Sequence, residues 1–264
     1  MTRPAGQPIA DLPKNVSMPL IGFGTWQVTG QTGYEAIRAA LDAGYRHLDT
    51  ATMYGNETEV GRAVRDSGVP REDVFITTKL PAQQAGNERR TLDASLAALD
   101  CDYVDLWLIH WPPGGEAGVD TWRELLAARD AGRARAVGVS NYSTAQLDEL
   151  IEATGEAPAV NQIKWSPALY DGPRAAEHRD RGVVLEGYSA FKNVDLSDPV
   201  LVRIAGTHGV TPAQVVLRWH VDHGFVAIPK SVTPERIRSN LDVFGFSLSE
   251  AELAEIDGLS GGRG

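Results

Sequence analysis

Three runs between His47 and His110 decide the fold: His47-Leu-Asp-Thr-Ala-Thr-Met-Tyr54, Val74-Phe-Ile-Thr-Thr-Lys79 and Val104-Asp-Leu-Trp-Leu-Ile-His110. Each is a short apolar stretch of β character that ends on polar side chains. Asp49 and Lys79 stand 30 positions apart, and Lys79 and His110 stand 31 apart. That interval holds one strand, one helix and two loops, the length of a βα unit. If the strands lie side by side, Asp49, Tyr54, Lys79 and His110 gather a carboxylate, a phenol, an ammonium and an imidazole at one end of the sheet. Such a group is proton-transfer machinery.

Outward from these runs, strands and helices alternate from about residue 20 to residue 245. Strands are expected at Leu20–Gly22, His47–Asp49, Val74–Thr78, Val104–Ile109, Ala136–Val139, Ala159–Ile163, Val183–Leu185 and Val226–Ile228. Several are apolar on both faces, as strands of a buried parallel sheet are. Between them, Tyr34, Ile37 and Leu41 share one helical face, as do Trp122, Leu125 and Leu126. Ser143 with Gln146, Thr211 with Gln214, and Ser249 with Glu252 fit the capping box, and Pro212 suits a first helical position. Gly44, Gly132, Gly182 and Gly209 fall where helices should stop. Eight βα repeats predict an α/β protein, a closed (β/α)8 TIM barrel forming one domain over residues 1–264. Ile9–Leu12 and Val16–Pro19 flank Pro13-Lys14-Asn15 as an N-terminal β-hairpin across the barrel's bottom, and a short tail, Gly261-Gly-Arg-Gly264, ends the chain.

Composition narrows the partners. The 264 residues are 42% apolar, enough for one large core, and the net charge of −10 argues against a nucleic-acid or anionic-membrane surface. No run of 18 apolar residues is present, and the first residues lack the apolar stretch of a signal peptide, so a cytoplasmic protein is expected. Nothing demands an interface, and a monomer is expected. Cys101 is the single cysteine, which excludes an intrachain disulfide and a cysteine zinc site. It reads as a small residue at the entry to a strand.

In a barrel of this kind, function collects at the carboxyl ends of the strands. Those ends supply Gly22 and Gly24, Asp49, Lys79, His110, Ser140-Asn141, Gln162, Tyr188 and Lys230-Ser231, a complete ring of glycines and hydrogen-bonding groups. Tyr54 alone is a poor acid, with an ordinary pKa of about 10. A neighbouring ammonium lowers that value, so Lys79, anchored by Asp49, is expected to make Tyr54 a proton donor. His110 is placed to hydrogen-bond a substrate oxygen. Taken singly, the tyrosine also fits a half-buried aromatic and the Lys–Asp pair a surface ion pair; the joint placement on successive strands separates the readings.

A metal reading of His47-Leu-Asp49 needs further histidines at strand ends. Only His110 qualifies, and the lysine at the next strand end repels a cation, so no metal is expected. Gly22-Phe-Gly24-Thr-Trp-Gln27 lacks the third glycine of a Rossmann turn and has tryptophan where a helix should open. A phosphate site is suggested by Ile228-Pro-Lys-Ser-Val-Thr-Pro-Glu-Arg236. There Thr233 suits an N-cap, and Lys230, Ser231 and Arg236 surround the helix start. An ordinary capped helix with solvated basic residues is the alternative.

The motifs together resemble the aldo-keto reductases. Gly22-Phe-Gly24-Thr-Trp26, Asp49-Thr-Ala-Thr-Met-Tyr54-Gly-Asn-Glu57 with Val60-Gly61, Thr77-Thr-Lys79, Leu108-Ile-His110-Trp-Pro112, Gly138-Val-Ser140-Asn141, Val160-Asn-Gln162 and Ile228-Pro-Lys230-Ser-Val-Thr233 carry the likeness. It extends from about residue 15 to 260 and is nearest the bacterial branch of the 2,5-diketo-D-gluconate reductases. The resemblance implies a (β/α)8 barrel that reduces aldehydes and ketones with NADPH. Tyr54 becomes the proton donor, tuned by Lys79 and Asp49, and His110 orients the carbonyl. Ser140, Asn141 and Gln162 meet the nicotinamide amide, Tyr188 stacks on the ring and Ser189 follows it. Lys230, Ser231, Thr233 and Arg236 hold the adenosine 2′-phosphate and Asn240 faces the adenine, while Trp26 and Trp111 line an apolar substrate pocket.

The chain departs from the family's pattern in three places. Ser189-Ala-Phe-Lys-Asn193 stands where Ser-Pro-Leu-Gly-Ser is usual, so the loop over the pyrophosphate is altered. Ser239 replaces a common glutamate, and the short tail and the short loop from Pro112 to Val119 predict an open pocket. A cofactor-binding sensor on the same barrel is the rival reading, against which the intact set of four residues weighs.

Overall fold

Residues 7–260 are described by the computed structural model. Its first element is the hairpin, β1 (Ile9–Leu12) and β2 (Val16–Pro19), paired antiparallel with Ile9 opposite Pro19. Lys14 and Asn15 make the turn at φ 61° and 60°, the left-handed region that asparagine tolerates better than most residues.

Eight parallel strands follow in one curled sheet: β3 (Phe23–Gly24), β4 (His47–Asp49), β5 (Phe75–Leu80), β6 (Val104–Ile109), β7 (Ala134–Ser140), β8 (Val160–Lys164), β9 (Val184–Tyr188) and β10 (Val226–Ala227). They lie in chain order. All residues of β5 and β6 are buried, as expected of strands covered on both faces. Each outer edge also meets the other through the segment before β3. Ile21 bridges Ala227 in parallel, Gly22 N donates to Ala227 O at 2.9 Å, and Gly24 N donates to Pro229 O at 3.2 Å. A Cβ on Gly24 would stand 2.7 Å from Ile228 O, so only glycine permits this approach.

The helices are α1 (Gly30–Ala43), α2 (Glu57–Ser67), α3 (Glu88–Leu99), α4 (Val119–Asp130), α5 (Thr144–Thr154), α6 (Gly172–Asp180), α7 (Pro199–His208), α8 (Pro212–Asp222), α9 (Pro234–Leu241) and α10 (Glu250–Asp257). All three capping boxes form, at α5, α8 and α10, with the N-cap oxygen accepting from the third helical N–H. Gly44 and Gly209 cap α1 and α7 in the left-handed conformation, while Gly132 and Gly182 lie one residue past their caps.

Two expectations need correction. The first strand lies at Phe23–Gly24, and Leu20–Gly22 contributes only the bridge at Ile21. The alternation is also broken between β9 and β10, where two helices replace one. Asp198 and Thr211 each cap a helix whose first residue is proline, and Gly209 ends the first of them, so the segment cannot run as one helix. The tail Gly261–Gly264 lies outside the described residues.

Burial is extensive. Trp107, Trp122, Trp165 and Trp219 are fully enclosed. The other two tryptophans, Trp26 at 58% exposure and Trp111 at 49%, stand out against them. Both follow a strand's carboxyl end, as does Met53 at 58%. Large apolar side chains left in water at one end of a sheet mark a contact surface.

Candidate active site

Asp49 closes β4, and its cross-strand partner on β5 is Thr77. Lys79 is two residues beyond Thr77 and so points to the same face. Its Nζ donates to Asp49 Oδ1 at 2.7 Å, to Oδ2 at 2.8 Å and to Thr50 O at 2.8 Å, with the lysine side chain wholly buried. Tyr54 ends a 3-10 turn, Thr52–Tyr54, that leaves β4. The turn is braced by Asn56, which accepts from Thr50 Oγ1 and donates to the carbonyls of Thr25 and Val28, tying the loops after β3 and β4 together. Lys79 Nζ lies 5.0 Å from the Tyr54 ring centroid. His110 follows β6, its N–H bonded to Leu80 O, and its ring meets Tyr54 edge-on at 5.7 Å. The four residues read from sequence therefore converge.

Their ionisation is governed by enclosure. Burial pushes Tyr54 above the ordinary phenol value; Lys79 pulls it down, while Asp49 and Glu186 push it up. The sequence reading has the sign of the lysine's effect right, but burial outweighs it, because Asp49 already neutralises the ammonium. Burial opposes the charge on Lys79, yet Asp49, Tyr54 and Glu186 raise its pKa overall. His110 is lowered to about 3 by burial and by Lys79, so its imidazole is neutral. Its Nδ1 is buried without a hydrogen-bond partner.

Behind this group runs a polar row, of which the strand assignment from sequence left out Glu186. Gln162 on β8 donates through Nε2 to Asp49 Oδ2 at 2.8 Å and to Glu186 Oε2 at 2.9 Å. His47 on β4 sets Nε2 3.2 Å from Thr77 Oγ1 and 3.7 Å from Glu186 Oε1. Gly22 makes room for it, since a Cβ there would meet His47 Nδ1 at 2.4 Å. Sequence offered one signal: a glutamate inside the apolar run Val183-Val-Leu-Glu-Gly-Tyr188. Ending that strand at Leu185 placed Glu186 in a loop, whereas it lies inside β9.

Ser140, Asn141 and Tyr188 form a second linked set at the same end. Ser140 Oγ donates to Gln162 O, Asn141 Nδ2 donates to Ser140 Oγ and His110 O, and Tyr188 OH donates to Asn141 Oδ1 at 2.8 Å. Asn141 sits at φ 65°. Gln162 Oε1 carries no hydrogen bond among the described residues and is the acceptor left for a ligand amide. Around α9, Lys230 and Arg236 are exposed and have no ion pair among the described residues. Thr233 occupies the N-cap, but its side chain makes no capping bond. Instead Ser231 Oγ accepts from Thr233 N at 3.0 Å, which folds the loop onto itself. Asn240 is buried. This donor set, two free cations beside a helix start and an amide acceptor at the strand ends, fits a phosphorylated dinucleotide.

After Tyr188 the chain turns through Ser189 at φ 58° and Asn193 at φ 59°. Lys192 N donates to Ser189 O, and Ser166 Oγ holds Lys192 O at 2.7 Å. Phe191 packs against the apolar core while Lys192 is exposed. A hollow of about 680 Å³ lies at the opposite end of the sheet, lined by Lys14, Arg46, Asp105 and Arg135 among others. None of the four converging residues lines it. Among the described residues no group of three or more His, Cys, Asp or Glu is arranged to hold a metal ion, and no single helix is long and apolar enough to cross a membrane.

The family model described as "Aldo/keto reductase family" matches residues 20–198 and 172–260. The chain belongs to the aldo/keto reductase family. An aldo-keto reductase of Mycolicibacterium smegmatis is 47% identical over 94% of this chain and 91% of its own length. The 2,5-diketo-D-gluconic acid reductase B of a Corynebacterium is 44% identical over 92% and 89%. A Bombyx mori aldo-keto reductase crystallised in complex with NADP superposes with a TM-score of 0.89 at 30% identity, covering 98% of this chain and 94% of that one. The aldo/keto reductase motifs quoted from the sequence are thus the segments that build the strand ends described above.

Proposed function

We propose that this protein is an oxidoreductase that reduces aldehyde and ketone carbonyls to alcohols with NADPH, on a single (β/α)8 barrel closed through the segment before β3. The observation that carries the reading is the convergence of Tyr54, Lys79, Asp49 and His110 beneath exposed Trp26, Met53 and Trp111. The reductase names of its relatives and the NADP in the Bombyx mori structure support it.

When bound, NADPH supplies the hydride for the carbonyl carbon. Tyr54 gives its phenolic proton to the carbonyl oxygen, and the alcohol leaves with both; solvent reprotonates the phenolate. Lys79 offsets the charge that develops on Tyr54, and Asp49 keeps the ammonium in place. Neutral His110 donates a hydrogen bond to the substrate oxygen without competing as an acid. Ser140, Asn141 and Gln162 would hold the carboxamide and Tyr188 and Ser189 the nicotinamide end, and Lys230, Ser231, Thr233, Arg236 and Asn240 would hold the adenosine 2′-phosphate end.

The test is a panel of reactive aldehydes, dicarbonyls and keto-sugars with NADPH and with NADH, followed through the loss of reduced-nicotinamide absorbance. NADPH-dependent turnover is expected. Tight NADPH binding with no turnover on any of them would refute the enzyme reading in favour of a cofactor sensor.

A further inference from the structure

Glu186 is 0% exposed, on the inner face of β9, and the mechanism above makes no use of it. From β4 it faces His47 and Asp49, from β5 Lys79, and from β8 Gln162. Beyond these, Tyr54 is the titratable group that feels its charge. β10 presents only Val226 and Ala227. On the outer side of β9, His220 packs against Gly187 and is held neutral, its pKa lowered to about 4 by burial.

Charge is scarce in this space. Among the described residues Lys79 is the one cation acting on Glu186, and it is engaged by both oxygens of Asp49 and by Thr50 O. Glu186 Oε2 accepts from Gln162, while Oε1 is buried without a hydrogen-bond partner. A carboxylate leaves that oxygen charged, desolvated and unbonded, whereas a carboxylic acid places its proton there, toward His47 Nε2. Burial, reinforced by Asp49 and opposed by Gln162 and Lys79, pushes Glu186 up to about 8.

We propose that Glu186 is a positioning residue for the reduction: as a neutral acid it holds the Gln162 amide, and through it the Asp49–Lys79 pair, and its ionisation slows proton donation by Tyr54 at alkaline pH. Both links are geometric. Gln162 divides its two amide hydrogens between Asp49 and Glu186, so a charged Glu186 draws the amide from Asp49 and competes for Lys79. The added negative charge also makes the Tyr54 phenolate harder to form. No atom of Glu186 is consumed; it keeps its proton through the turnover.

The inference rests on the reductase reading, and the experiment separates the two. Measure kcat/KM for an aldehyde with NADPH from about pH 6 to about pH 10 in the wild type and in Glu186→Gln, which preserves shape and removes the charge. The wild type should show a step near pH 8, a fall of roughly three- to tenfold. Glu186→Gln should lack that step and stay within about threefold of the wild type at about pH 6.5. A wild type that turns over with no step near pH 8, or a variant that retains the step, overturns the role of Glu186 alone. A wild type with no turnover at any pH overturns the reductase reading and this role with it. Infrared difference spectra supply a readout independent of activity. The wild type should carry a protonated-carboxyl C=O band at about pH 6.5 that disappears by about pH 10. If Glu186→Gln does not fold, absence of a carboxyl band titrating near pH 8 in the wild type overturns the proposal by itself.

Discussion

Lys79 meets both carboxylate oxygens of Asp49, at 2.7 and 2.8 Å, and gives its remaining bond to Thr50 O. An ammonium has three hydrogens, and three protein acceptors take them. Neither partner reaches water, so each depends on the other. Lys79→Met removes the cation and strands Asp49, and should destabilise the fold by about 3–5 kcal/mol. Asp49→Asn leaves an uncompensated ammonium and should cost a similar amount. Urea unfolding of both variants checks this; losses below about 1 kcal/mol would mean that the pair behaves as a solvated one.

Among the described residues the Tyr54 hydroxyl makes no hydrogen bond to the backbone, and its N–H is the group that bonds, to Ala51 O. Tyr54→Phe should therefore fold normally and bind NADPH nearly as the wild type does, with kcat/KM for aldehyde reduction down by about a hundred- to ten-thousandfold. Cofactor titration and steady-state kinetics on the same preparation give both quantities. Retained turnover removes Tyr54 from its role as the acid.

Much of this was legible in sequence because the signals are local. A capping box needs four consecutive residues, and Ser143, Thr211 and Ser249 all form theirs. Hairpin ends and the order of the strands follow in the same way from short patterns. The four converging residues were readable because each lies at or just past a strand's end, where barrel topology alone brings them together. What was not readable depends on contacts between strands far apart in the chain. Glu186 meets His47 and Gln162 only because β9, β8 and β4 face a common interior. The run Leu20-Ile-Gly-Phe-Gly24 is apolar without alternation, so its pairing cannot be placed to within two residues. Thr233 has the right residue type for a cap, yet its side chain makes no capping bond, and its own N–H donates to Ser231 Oγ.

Buried histidines give the protein an acid side to its stability. His47 and His110 are lowered from 6.5 to about 3 and His220 to about 4, with burial the leading cause in each. Across that interval the unfolded chain binds protons that the folded chain does not, so stability falls as pH drops below about 6.5. Each such histidine contributes a slope of about 1.4 kcal/mol per pH unit. Glu186 has the opposite sign: its folded pKa, raised from 4.5 to about 8, costs stability as pH climbs through that range. The histidines, with His178 lowered by burial as well, drive a decline below about 6.5; Glu57 and Asp105, whose carboxyls burial also raises, offset part of it, and Glu186 gives a shallower decline above it. Urea midpoints measured across pH should therefore peak near neutrality on the slightly acid side. A flat profile between about pH 4 and about pH 6.5 would show that the imidazoles are not held neutral.

Lys230 and Arg236 flank the start of α9 exposed and, among the described residues, without an ion pair, which leaves both charges available to a phosphate. If they hold the 2′-phosphate, Arg236→Ala should weaken NADPH binding by roughly ten- to a hundredfold, the worth of a charge-assisted hydrogen bond. Binding of NADH, which lacks that phosphate, should change little, and the NADPH loss should shrink as salt rises. Thr233→Ala supplies a control within the same loop. Its side chain makes no capping bond, so the variant should melt with the wild type, and any change in NADPH affinity then reports a contact with the ligand rather than a weakened helix. Equal losses for NADPH and NADH in Arg236→Ala would place the arginine's effect on a part of the cofactor that both share, and would remove the structural basis for preferring the phosphorylated form.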